Sequence, residues 1–83
     1  MAARFGDMLL EQRRRMGLSI QQVANTIKIR PQIIEFFENG NFASMPPRGY
    51  AQGMISSYAR FLGLNPREVV NAYFDDLMAY ERE

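Results

Sequence analysis

The sequence predicts an all-α protein, a compact five-helix bundle that forms one domain over residues 1–83. Three observations predict this class. Apolar residues recur at helical spacing, no stretch alternates with the period of two typical of strands, and start and stop signals divide the chain into five helical segments. The 83 residues suffice for one small core, and 47% of them are hydrophobic, a proportion typical of globular domains.

The first helix is predicted from about Ala3 to Arg15, because apolar side chains fall on one stripe along it. The stripe consists of Phe5, Met8, Leu9 and Met16. The polar side chains predicted to face away are Arg4, Asp7, Glu11 and Arg14. Gly17 follows at the point where a left-handed residue would end the helix.

The second and third helices are marked by residues that favour helix ends. Ser19 and Gln22 have the spacing of a capping box, which starts the second helix. Its inner face is predicted to consist of Val23, Ala24 and Ile27. Pro31 suits the first position of the third helix, and Asn39-Gly40 is a stop signal. The inner face of the third helix is predicted to consist of Ile29, Ile34 and Phe37.

The last two helices are separated from the rest by a loop in which Phe42 and Met45 are predicted to turn inward. The fourth helix follows this loop and ends near Leu62-Gly63. Residues 65–68, Asn-Pro-Arg-Glu, combine a cap, a proline at the first position and an early carboxylate, so they start the fifth helix. Its apolar side is predicted to consist of Val69, Val70, Tyr73, Phe74, Leu77 and Met78.

Residues 18–40, LSIQQVANTIKIRPQIIEFFENG, have the outline of a repressor-like helix-turn-helix. In such a motif the second helix of the pair lies in the major groove of DNA. Its groove-facing side chains would be Pro31, Gln32, Ile33, Glu35 and Phe36. None of them is Lys or Arg, and Glu38 is predicted to lie near the same face, where a carboxylate opposes phosphate binding. Only Arg30 and Gln32 are suited to DNA.

The distribution of charge also weakens the DNA interpretation. The net charge is +1, which is too small for a broad attractive field around nucleic acid. The run Arg13–Arg15 could contact phosphates, but cations are also favourable at the carboxyl end of a helix because of the helix dipole. Ile33 and Phe36 are either exposed on the outer face or packed beneath the 41–46 loop.

No residue pattern predicts catalysis, a cofactor or a metal site. The sequence contains no Cys and no His, so the commonest thiolate and imidazole ligands and the commonest general base are missing. Asp75 and Asp76 are adjacent carboxylates, but consecutive helical residues diverge by about 100°. We therefore expect a solvated helix face at these two residues, and we expect that the protein is not an enzyme.

The fourth helix has a wider apolar face than one small core needs. The centre of that face is predicted to consist of Ala51, Ile55, Tyr58 and Leu62. Tyr50, Met54 and Phe61 widen it along one edge, which is either covered by the fifth helix or exposed for a partner. Gly53 in mid-helix costs about 1 kcal/mol relative to Ala, so a close helix approach is expected there.

Two stretches of the chain resemble a known family. GLSIQQVANTIKIRPQIIEFFENGNF and RGYAQGMISSYARFLGLNP resemble the cytoplasmic N-terminal domain of the RodZ family, and the second stretch is the more specific. RodZ proteins are bacterial cell-shape proteins that link the actin-like filament protein MreB to the membrane. The resemblance implies a five-helix domain on the cytoplasmic side of the membrane, joined to a membrane span outside these residues.

The resemblance also implies a binding site on the fourth helix. RodZ domains contact MreB through two aromatic residues four positions apart, which correspond here to Tyr50 and to the non-aromatic Met54. Ser57 and Phe61 lie beside them on the same helix. The partner implied is MreB rather than nucleic acid. The alternative is a DNA-binding transcriptional regulator of the phage-repressor type.

Overall fold

All five predicted helices are formed in the computed structural model, which describes residues 4–82. They are α1 (Arg4–Arg15), α2 (Ile20–Ile27), α3 (Pro31–Asn39), α4 (Arg48–Phe61) and α5 (Pro66–Arg82). One turn of 310 helix, Phe42–Ser44, lies between α3 and α4. No strand occurs among the described residues, so the all-α prediction is confirmed. The predicted start of α1 at Ala3 lies outside them.

Local hydrogen bonds form the helix-turn-helix as the sequence predicts. The backbone N–H of Gln22 donates to Ser19 Oγ at 3.1 Å, and the N–H of Ser19 donates to Gln22 Oε1 at 2.8 Å, so the capping box is confirmed. Lys28 then adopts a left-handed conformation with φ of 60° and donates its N–H to Ala24 O at 2.9 Å. This residue ends α2, and α3 begins three residues later at Pro31.

Every helix contributes side chains to one buried core. The buried apolar residues are Phe5, Leu9, Val23, Ala24, Ile34, Phe37, Ala51, Ile55, Tyr58, Ala59, Leu62, Val69, Ala72 and Tyr73. The predicted inner faces of α1 to α5 are therefore largely confirmed. Phe42 is half-buried, with its ring centroid 5.8 Å from Phe5 and 6.2 Å from Tyr73, and Met45 also packs against the core. The loop thus turns its apolar side chains inward, as predicted.

Two methionines predicted on apolar stripes are exposed instead. Met16 has 45% of its surface exposed and lies beyond the end of α1, where helical spacing no longer places it on the stripe. Met78 is 55% exposed. It follows Val69 by nine residues, a rotation of about 900°, which places it half a turn away from the buried side of α5.

The first turn of α1 is held by both α3 and α5. Gly6 is buried, and a Cβ at this position would lie 2.5 Å from Phe37 O and 2.6 Å from Glu38 O. No other residue type allows this approach between α1 and α3. The backbone N–H of Phe5 donates to Asp76 Oδ2 at 2.8 Å. The prediction that Asp76 is solvated is therefore wrong, since its half-buried carboxylate caps α1 from α5.

The close helix approach predicted at Gly53 is also wrong. A Cβ at Gly53 would meet no other atom within 4 Å. On this side of α4 there is an open groove, lined by residues of both α4 and α5, rather than a tight contact. The glycine that permits close packing is Gly6, on a different helix.

The two glycines predict opposite effects of the same substitution. Gly6→Ala is expected to lower the free energy of unfolding by about 2 kcal/mol, because the new methyl group overlaps two backbone carbonyls. Gly53→Ala is the matched control and is expected to raise the same free energy by about 1 kcal/mol, because alanine favours the helix and meets open space. Urea denaturation measures both. If Gly6→Ala had the same free energy of unfolding as the wild type, the close approach of α1 to α3 would be contradicted.

Candidate functional site

The candidate partner-binding residues form a single line along α4. Tyr50, Met54, Ser57 and Phe61 follow one another at intervals of four, three and four residues. At about 100° per residue they lie within roughly 60° of one another around the helix. They extend along about 16 Å of the helix axis. We call these four residues the α4 stripe.

The α4 stripe combines a fully displayed side chain with anchored ones. Tyr50 is 71% exposed, which is more than any other large hydrophobic residue in the described part of the chain. Ser57 is exposed as well. Met54 and Phe61 are half-buried and pack against the core. Tyr50 is therefore a surface residue, while Met54 and Phe61 are partly committed to the fold.

The groove between α4 and α5 is lined by residues outside the α4 stripe. The residues of α4 that face α5 across the groove are Gly49, Gln52, Gly53 and Ser56. Their helical positions are on the opposite flank of α4 from the stripe, with the buried residues between the two flanks on the inner side. Of the apolar residues at this edge of the fourth helix, Tyr50 is exposed and is therefore not covered by the fifth helix.

The outer face of α3 carries few groups suited to DNA. Gln32 and Glu35 are exposed, and Arg30 is exposed at the residue before the helix. Ile33 packs against the core, and Phe36 is half-buried. The outward side of α3 therefore offers the amides of Gln32 and the exposed Asn39, one carboxylate and one flanking guanidinium for polar contacts.

The spacing of Glu38 predicts a position near the outer face of α3, and this prediction is wrong. Glu38 is only 4% exposed and accepts two hydrogen bonds from Arg13, Nε to Oε2 at 2.8 Å and Nη2 to Oε1 at 3.0 Å. The Tyr58 hydroxyl also donates to Oε2. The carboxylate thus belongs to the core and does not oppose an approaching phosphate.

Arg13 is consequently unavailable to a ligand. Besides its bidentate pair with Glu38, it donates from Nη1 to Leu18 O at 2.9 Å. Its neighbours Arg14 and Arg15 are exposed. The basic run at the end of α1 therefore separates into one structural arginine and two surface arginines. All three arginines lie in the last turn of α1, as predicted, and the side chain of Arg13 is in addition paired with Glu38.

The Arg13–Glu38–Tyr58 cluster joins α1, α3 and α4. The hydrogen bond to Glu38 raises the pKa of Arg13, and burial raises the pKa of the Tyr58 hydroxyl well above its ordinary value. Within residues 4–82, no buried side-chain nitrogen or oxygen lacks a hydrogen-bond partner. Both pKa shifts keep Arg13 charged and Tyr58 neutral at neutral pH.

Comparison with known proteins assigns the family. A model described as a helix-turn-helix domain matches residues 8–69. The chain belongs to this helix-turn-helix family. The match includes the whole of α2, α3 and α4, and therefore both the helix-turn-helix and the α4 stripe.

One relative of this helix-turn-helix chain is a much longer protein. An uncharacterized protein of Haemophilus influenzae is 37% identical over 60 residues, which are 71% of this chain and 20% of that protein. The chain therefore spans about a fifth of the length of this relative.

A solved structure also shares the fold. It is that of YmfM, a proposed DNA-binding membrane protein from Staphylococcus aureus, with a TM-score of 0.79 and 25% identity over 87% of this chain and 88% of that one. In residues 4–82 of the present chain, no helix has the length and hydropathy to cross a bilayer.

The buried cluster predicts a loss of stability at alkaline pH. Tyr58→Phe is expected to lower the free energy of unfolding at pH 7 by about 2 kcal/mol, because Glu38 loses a donor. The pKa of Tyr58 is higher in the folded chain than its ordinary value of 10.0. The contribution of Tyr58 to the free energy of unfolding is therefore constant below pH 10 and declines above it, because the hydroxyl of the unfolded chain loses its proton first.

Urea denaturation from pH 7 to about pH 11 measures this effect. Wild-type stability is expected to fall above about pH 10, and the Tyr58→Phe variant is expected to fall less. The stability of the variant still falls somewhat in this range, because burial also raises the pKa of Tyr73. Identical alkaline slopes in the two proteins would contradict the assignment to Tyr58.

Proposed function

We propose that this chain is a RodZ-like adaptor domain that binds the actin-like filament protein MreB through the α4 stripe. The observation that carries the proposal is the exposure of Tyr50, 71%, at the start of the most specific stretch of resemblance. A large aromatic side chain with a polar tip, displayed on a rigid helix, is a common anchor of protein interfaces. The proposed role is binding and positioning, without catalysis.

The surroundings of Tyr50 support a preformed interface. Met54 and Phe61 already pack against the core, so little side-chain freedom remains for them to lose on binding. Methionine adapts to irregular surfaces, and a non-aromatic second anchor therefore still provides apolar contact. We expect Tyr50 to contribute most of the binding energy, with Met54 and Phe61 forming the apolar base beside it.

The outer face of α3 supports a protein partner over nucleic acid. Residues 31–39 contain no Lys or Arg, whereas base and phosphate contacts are made mainly by those residues. Because Glu38 pairs with Arg13, the charge of one arginine from the basic run is already neutralised. Specific DNA binding would depend on very few cations.

In this proposal the domain acts as one part of a longer membrane protein. The chain spans about a fifth of its Haemophilus influenzae relative, and its structural neighbour YmfM is a proposed DNA-binding membrane protein. The first supports a longer chain, and the second supports a membrane segment outside these residues. The domain would then hold MreB at the cytoplasmic side of the cell membrane and contribute to cell-shape maintenance.

The proposal predicts a separation of binding from stability at Tyr50. Tyr50→Ala is expected to weaken binding to MreB by about 2 kcal/mol, because the main anchor is removed. Its free energy of unfolding is expected to change by less than about 0.5 kcal/mol, since Tyr50 is exposed. An equilibrium titration against purified MreB measures the first quantity, and urea denaturation the second.

Gln52→Ala is the matched control for this titration. Gln52 is exposed on the other flank of α4, so its substitution should leave MreB binding unchanged. Saturable wild-type binding that Tyr50→Ala weakens selectively would support the proposal. Failure of the wild type to bind MreB, or equal weakening by both variants, would contradict it.

A DNA-binding regulator is the second candidate function. It is favoured by the family and by YmfM, and Arg30 and Gln32 are exposed at the start of α3. Arg14, Arg15 and Lys28 are also exposed and could contact phosphates.

The adaptor proposal predicts that duplex DNA binds weakly and without sequence preference. Fluorescence anisotropy with random-sequence and genomic duplexes, at two salt concentrations, measures this property. Any affinity is expected to be abolished by moderate salt. Salt-resistant binding to a particular sequence, lost in Arg30→Ala, would favour the regulator instead.

A further inference from the structure

An open groove lies between α4 and α5, on the other flank of α4 from the α4 stripe. Its volume is about 670 Å³. Its apolar lining on α5 consists of the half-buried residues Pro66, Val70 and Phe74. On the α4 side the lining runs from Gly49 to Ser56, a rise of about 10 Å, which corresponds to roughly two helical turns. The groove thus has the length of a short helical segment.

The polar side chains around this groove are not used by the fold. Gln52, Ser56 and Asn71 line it, and none of them makes a side-chain hydrogen bond within residues 4–82. Arg67 is the one charged lining residue, and the ion pair of the described residues is elsewhere, between Arg13 and Glu38. Unpaired polar groups around an apolar base are typical of a binding site.

The α4 side of the groove is formed partly by two glycines four residues apart. A Cβ at Gly49 or Gly53 would meet nothing within 4 Å, so neither glycine is needed for packing inside the domain. Glycine in an exposed helix lowers helix stability, and that cost has no internal compensation here. The absence of side chains at Gly49 and Gly53 leaves room for an external helix to approach the α4 backbone closely. The unused polar groups beside them could then form hydrogen bonds with that helix.

Charge indicates what kind of helix fits. Arg67 is in the first turn of α5, where the helix dipole adds partial positive charge. No carboxylate lines the groove, although Glu68 lies next to Arg67 on the exposed surface. We propose that the α4–α5 groove is a second docking site, which binds an acidic amphipathic helix of a partner protein. A carboxylate of that helix pairs with Arg67, and its apolar side contacts Val70 and Phe74.

This inference does not rest on MreB binding. The centres of the groove lining and of the α4 stripe are about 120° apart around α4, and no residue belongs to both surfaces. A domain with two such surfaces can bridge two proteins. The failure of one proposal leaves the other testable.

The test uses NMR chemical-shift mapping on the 83-residue chain. The probe is a stapled helical peptide of about 14 residues, with a leucine stripe flanked by glutamates, and the comparison peptide has lysines in place of the glutamates. The glutamate peptide is expected to shift the amide signals of Gly53, Ser56, Arg67 and Asn71 saturably. The lysine peptide is expected to bind at least about tenfold more weakly.

Three variants locate the binding. Arg67→Glu is expected to weaken binding of the glutamate peptide at least about tenfold, whereas Arg30→Glu, a charge reversal at the exposed residue before α3, should change it less than about twofold. Gly53→Leu fills the groove and should abolish binding while the protein melts at the same or a higher temperature.

Several outcomes would overturn the proposal. They are the absence of saturable shifts, shifts centred on Tyr50 or Arg14, and equal losses in Arg67→Glu and Arg30→Glu. Groove signals that move with protein concentration alone would assign the groove to a second copy of this chain instead.

Discussion

The buried carboxylate of Glu38 is the interaction on which the arrangement of the helices depends. It lies on α3, accepts a bidentate pair from Arg13 on α1, and accepts the Tyr58 hydroxyl of α4. A carboxylate taken out of water is costly unless its acceptor sites are satisfied, so the three helices have to meet in one geometry. The same cluster also changes the charge available on the outer surface. Glu38 and Arg13 are paired with each other inside the fold and cannot be reached by a ligand.

With its inner side committed to that core, α4 is left with two independent flanks. One carries the exposed ring of Tyr50 and the other faces the groove beside Val70 and Phe74. A helix buried along only one side of a small bundle normally shows a polar outer surface. Here one flank is apolar and the other lacks side chains at two positions. Both departures are on the surface of a helix-turn-helix domain whose α3 has no basic residue.

Sequence predicted what depends on neighbours in the chain. Ser19 with Gln22, and Pro31 with Gly40, are local signals, and they located the helix ends and hence the helix-turn-helix. Contacts between distant residues were not predictable in this way. Helical spacing alone placed Glu38 outside, because nothing near it in the chain reveals a partner 25 residues earlier. The exposure of Tyr50 was likewise undecided by its spacing, since an apolar edge can face either a neighbouring helix or solvent.

A hydrogen bond between the first and last helices lies outside the residues that the family model matches. Phe5 and Asp76 are 71 positions apart, and both lie outside residues 8–69, which the family model matches. Gly6, which lets α1 approach α3, lies outside as well. A fragment cut at the limits of the match would keep the helix-turn-helix but lose the first turn of α1 and its cap from α5. The boundaries of a recognisable motif and those of a cooperative folding unit therefore differ in this protein.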